Sequence, residues 1–193
     1  MKNKQHLRMG ALLISVCGVS LAFTAWADEI GQQCIAEQYA RFSPAICIVK
    51  YSSDVTNPST GESTKRDIQA PGLLVSADGL VMAHGHMQYE DTEPFNISIL
   101  VGEGESRKEY GAKLLRKPDD VNVCFLRIES DTPLQLPFVR FEPNAELGLG
   151  EPFVLFGLMR ETMDNARGVL VRRVGAILEK PRRTYCVDEG IPF

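Results

Sequence analysis

"GLLVSADGLVMAHGHMQYE", residues 72–90, contains two short apolar runs separated by Asp78-Gly79 and ends at two histidines, His84 and His86. An Asp-Gly pair between apolar runs is a strong hairpin signal, because the turn needs positive φ at little cost. The stretch therefore predicts two antiparallel strands with a histidine pair at the end of the second. Only one other histidine, His6, occurs in the chain.

The surrounding sequence has the same character. "AICIVKYSS" precedes the hairpin, and "FNISILV", "EYGAKLLRK", "VNVCFLRIES", "FVLFGLM" and "GVLVRRVGAILEK" follow it, with Gly, Pro and Asp between them. Many short apolar runs so punctuated predict an all-β antiparallel barrel or sandwich. Phe95, Ile97, Ile99 and Val101 share one parity and should point to one face of a strand. "VNVCFLRI" is apolar in both parities, the pattern of a strand buried on both sides. "GQQCIAEQYARF" has helical spacing and predicts a short helix before the strands. "DVTNPSTGESTKRD" reads as a polar loop, and the proline-bounded "DTPLQLPFVRFEPNAELGLGEP" as a linker.

Residues 1–27 have a different logic. Lys2, Lys4 and Arg8 precede an uncharged apolar stretch that ends in Ala25-Trp26-Ala27. This is the layout of a cleaved signal peptide and predicts export to the periplasm or the extracellular medium. An uncleaved membrane anchor is the competing reading. Removing the three basic residues of this segment takes the net charge from −4 to −7. That balance disfavours nucleic acid and anionic membrane surfaces as partners. The locally basic "VRRVGAILEKPRR" reads as the solvated face of a strand.

Four cysteines remain after cleavage: Cys34, Cys47, Cys124 and Cys186. Four cysteines allow three complete pairings, and spacing does not choose among them. Cys34 with Cys47 is the favoured pair, each flanking a short segment near the mature N-terminus, in a compartment where disulfides persist. Cys124 lies in an apolar run and reads as a buried thiol. No spacing resembles a zinc site, and no cofactor is expected. His84 and His86 at i, i+2 are a possible metal pair for which the sequence nominates no third ligand.

The order of these segments resembles a trypsin-like serine peptidase of the bacterial HtrA type. "GLLVSADGLVMAHGHM" looks like that family's glycine-led hairpin, which ends at the catalytic histidine; His86 holds that place. "LPFVRFEPNAELGLGEPFVLFG" resembles the link between the two barrels, and "RGVLVRRVGAILE" the strand pair ahead of the serine loop. The resemblance covers about residues 40 to 188. It implies a double β-barrel within 28–193, with a complete first barrel over about 40–131 and a partial second one over about 136–193. It also implies a peptide or an unfolded protein as the substrate class of an exported endopeptidase.

Two departures weigh on the chemistry that the resemblance implies. Asn122, in "NVCFLRI", stands where the family has its catalytic aspartate, and no Gly-x-Ser-Gly-Gly loop occurs through Phe193. Asp120 lies two residues, roughly 6.6 Å of extended chain, from the acid position and substitutes only if the strand bulges. Otherwise Asp119 and Asp120 are solvated loop charges. Ser52, Ser53, Ser59, Ser63, Ser76, Ser98, Ser106 and Ser130 all lack the strained, glycine-flanked setting of an activated nucleophile. The expectation is a peptidase relative that is inactive as it stands, with a non-catalytic peptide-binding module as the alternative.

Overall fold

A computed structural model describes residues 31–56, 59–87, 93–118, 120–142 and 145–188. The expected signal segment and Asp119 lie outside the described residues. Helix α1 (Gln32–Phe42) leads through a 3-10 turn (Ser43–Ala45) into six strands: β1 (Ile46–Thr56), β2 (Ser63–Leu74), β3 (Leu80–His84), β4 (Phe95–Val101), β5 (Lys108–Arg116) and β6 (Val123–Ile128). All neighbouring strands are antiparallel, and the order β1-β2-β3-β6-β5-β4 closes β4 onto β1 as a barrel. The architecture is mostly β and compatible with a trypsin-like fold.

Alternation builds the interior. Val49, Leu74, Val81, Ile99, Cys124 and Leu126 are fully enclosed. In β4 the expected face holds: Ile99 and Val101 are buried, Ile97 is half-buried and Phe95 reaches the rim. In β6, burial on both sides is corrected to a strict alternation. Cys124, Leu126 and Ile128 point inward, while Val123, Phe125 and Arg127 are only half-covered. A closed barrel has one interior, so the second apolar face of β6 meets surface cover instead.

The expected loop over 54–67 is also corrected. β1 and β2 pair continuously from Ile46↔Leu73 to Thr56↔Ser63, which leaves only 57–62 as the connection. The outer part of this hairpin has no core to face, so its stabilising pairs are polar. Ser52 Oγ donates to Asp67 at 2.7 Å, and Asp54 sits across from Lys65. Such strands lack the apolar alternation by which strands are recognised.

The Asp78-Gly79 hairpin forms as read. Gly79 has φ +87°, and the Leu80 N–H is taken by the Ser76 hydroxyl at 3.0 Å. The linker that follows β6 carries no strand among the described residues, but it is fastened to the barrel. Leu136 and Val139 donate their N–H groups to Ala77 and Leu74, while Leu134, Leu136 and Val139 pack on the core.

Beyond the linker, β7 (Pro152–Leu158), β8 (Arg167–Leu178) and β9 (Thr184–Val187) form an open antiparallel sheet in that order. Several contacts fix it against the barrel and α1. The Arg167 guanidinium, 7% exposed, meets Glu103 at 2.7 Å and donates to the Ile46 carbonyl at 2.9 Å. Gln69 donates to Glu161 and accepts from Asn165. Phe156 lies against Tyr39 and Phe42 of α1. Leu155, Leu170, Val171 and Leu178 of the second sheet remain substantially exposed. No helix among the described residues is long and apolar enough to cross a membrane.

Candidate functional site

The site is set by the β3–β6 ladder. Ala83 is opposite Cys124 and His84 is opposite Val123. One step beyond the strands, the Gly85 N–H donates to the Asn122 carbonyl at 3.0 Å. The chain then turns through Gly85–Met87 as a 3-10 turn. Met87 anchors this turn from below: it is buried, with its Sδ 3.8 Å from Cys124 Sγ. His84 and His86 are thereby left exposed on either side of buried Gly85, with Asn122 opposite.

Gly85 is required by close approach. A Cβ at this position would lie 2.5 Å from Asn122 Oδ1, 2.9 Å from the Asn122 carbonyl carbon and 3.1 Å from Lys117 Cε. Real Cβ atoms do not come so close, and one of these neighbours is backbone. Gly85→Ala is therefore expected to push β3 and β6 apart at their ends and cost about 1–3 kcal/mol, the range for forced overpacking. The drop in the urea midpoint measures it; an unchanged midpoint would show that the turn has slack.

The amide of Asn122 turns to His84: Nδ2 and His84 Nε2 are 3.4 Å apart. The His86 backbone N–H approaches His84 Nδ1 at 3.3 Å, and the two imidazoles meet edge to face with centroids 4.3 Å apart. Both contacts with His84 ask its ring to accept. A neutral imidazole has a single accepting nitrogen, so they compete for its tautomer and both are long. The sequence offered no sign that His84 rather than His86 would take this contact. The signal was the strand register, which sets 84 and 86 symmetrically about the residue facing Asn122.

Asp120 is placed differently. Its carboxylate lies 3.4 Å from Arg182, which also donates to the Asp120 carbonyl. Arg182 belongs to the connection before β9, so the second sheet engages this acid. Five of the serine hydroxyls likewise have local partners. Ser52, Ser76 and Ser98 donate to Asp67, Asp78 and Glu109, and Ser106 and Ser130 to the carbonyls of Glu103 and Thr132. None of these five hydroxyls donates to a histidine, the base that the triad arrangement requires.

The four described cysteines are free thiols, and the expected Cys34–Cys47 disulfide is not formed in this structure. Cys34 is exposed on α1, whereas Cys47 is enclosed in the barrel core. Burial pushes the Cys47 thiol up to about 12, against the smaller opposing pull of the Arg167 charge. Among the described residues no three His, Cys, Asp or Glu side chains converge as a metal site.

Beside His84 an apolar cleft of about 270 Å³ opens where the barrel meets β7. Ile46, Leu73, Met82 and Val123 line its barrel side, and Phe156 and Gly157 its β7 side. The site thus joins an apolar groove to two imidazoles and a neutral amide. These groups can accept or donate hydrogen bonds, but they include no carboxylate to stabilise an imidazolium. No protein-family model matches the chain, and no curated protein matches it either.

Proposed function

We propose that this chain is an exported relative of the trypsin-like, HtrA-type serine endopeptidases that retains the histidine turn and does not hydrolyse peptides. The observation that carries the reading is the β3–β6 register, which brings the turn holding His86 against position 122, where the side chain is an amide. In acyl transfer of this type a serine attacks the carbonyl, a histidine takes its proton and a carboxylate orients and stabilises the imidazolium. Asparagine has the shape of that carboxylate without its charge, and it favours the wrong tautomer. In a serine protease the corresponding change costs about 10⁴-fold in kcat. No Gly-x-Ser-Gly-Gly loop occurs within residues 1–193 either.

A second reading, a non-catalytic module that binds peptides or unfolded proteins, is supported by the apolar cleft between His84 and Phe156. The two readings agree that no serine is activated. Fluorophosphonate labelling tests this: the wild-type chain is expected to remain unlabelled. A labelled serine whose labelling disappears in His86→Ala would overturn the inactive reading.

A further inference from the structure

We propose that β9 pairs antiparallel with β9 of a second copy of this chain, joining the two open sheets across a two-fold axis. Strand β9 has β8 on one side and no strand on the other among the described residues. The hydrogen-bond pattern shows which groups face outward. The Asp188 N–H donates to the Arg173 carbonyl on β8 at 3.1 Å. Alternation along the strand then directs the N–H and C=O groups of Thr184 and Cys186 to β8, and those of Tyr185 and Val187 to the outer edge. The irregularity in this pair lies on β8, between Val174 and Ala176, so the alternation along β9 is unbroken.

The sequence around this edge is complementary to itself. Residues 182–189 read Arg-Arg-Thr-Tyr-Cys-Val-Asp-Glu: two cations, four strand residues, two anions. An antiparallel second copy brings the cations of each chain to the anions of the other. A two-fold axis normal to the sheet requires facing residues to lie on the same face, so the axis passes through a residue pair. With Cys186 opposite its own copy, Tyr185 and Val187 of each strand exchange their outward N–H and C=O groups, and Asp188 faces Thr184 of the other copy with Arg182 as its diagonal neighbour on the same face. The intrachain pairs that compete are exposed: Arg182 with Asp120, and Arg183 with Glu146 and Glu179. Exposed pairs of this kind contribute little to stability. The other open edge is less suited, since β7 begins with Pro152, which lacks an N–H. In the proposed register the Cys186 pair is a non-hydrogen-bonded one, with a Cα separation of about 4.5 Å, inside the range of about 4.4–6.8 Å that a disulfide spans.

The test is the mass of the full chain by sedimentation velocity in reductant over a concentration series. The wild type is expected to form a dimer. R182E/R183E and D188K/E189K are each expected to be monomeric, and an equimolar mixture of the two to recover the dimer, which also shows that both variants fold. In a Cys17→Ser, Cys34→Ser background, diamide takes two electrons and two protons from facing thiols, so the dimer becomes covalent through Cys186. A wild type that stays monomeric, a mixture that stays monomeric, or a cross-link that survives Cys186→Ser would each overturn the proposal.

Discussion

Raising the pH from 9 to 12 is expected to remove up to about 4 kcal/mol of folding stability through Cys47 alone, at about 1.4 kcal/mol per pH unit. The thiol's ordinary value of 9.0 is pushed up to about 12 by enclosure in the barrel core. Below pH 9 the folded and unfolded chains both hold the proton, and this group contributes no pH dependence. Between 9 and 12 the unfolded chain releases its proton while the folded chain keeps it. Unfolding is therefore favoured progressively as the pH rises, and the loss levels off above the folded value. Burial also raises Tyr51 and Cys124, which adds to the slope in the same direction. Urea unfolding of wild type and Cys47→Ala at several pH values separates the contributions. The variant should show a shallower decline above pH 9, whatever its stability at pH 7. Parallel declines would mean that the Cys47 thiolate is accommodated in the fold.

Leu126→Ala should cost about 2–5 kcal/mol, the range for truncating a buried leucine. Leu126 is fully enclosed on β6, facing Val81 on β3 and Leu114 on β5 in the ladder. Closed strands on both sides limit how far the wall can collapse into the space left behind, which favours the upper half of the range. That is a large fraction of the roughly 5–15 kcal/mol that holds a typical domain together. The check is a lower urea midpoint with an unchanged m-value. A shift under about 1 kcal/mol would mean that the barrel repacks freely. Because the same strand leads back to Asn122, the variant also reports on how firmly the site's floor is held.

What was legible in the sequence follows from physics that acts locally. Asp78-Gly79 specifies its own turn, and the parity of 95–101 specifies its own inward face; both are found as read. The outer part of the β1–β2 hairpin was hidden because polar cross-strand pairs, such as Asp54 with Lys65, leave no apolar period. The half-covered face of β6 was hidden because an apolar side chain does not announce how many layers will cover it. At the site, His86, Asn122 and Asp120 could all be nominated by position. Their partners could not: Asn122 turns to His84 through a register shared by two strands, and Asp120 meets Arg182 across 62 positions of chain. Contacts of that span depend on closure of the whole fold.

The central claim, that this polypeptide keeps a histidine turn without a working acyl-transfer site, is tested most directly by turnover of a fluorescently labelled unfolded protein. The purified chain and its His86→Ala variant should release fragments at the same background rate. Release by the wild type that is lost in His86→Ala would contradict the account.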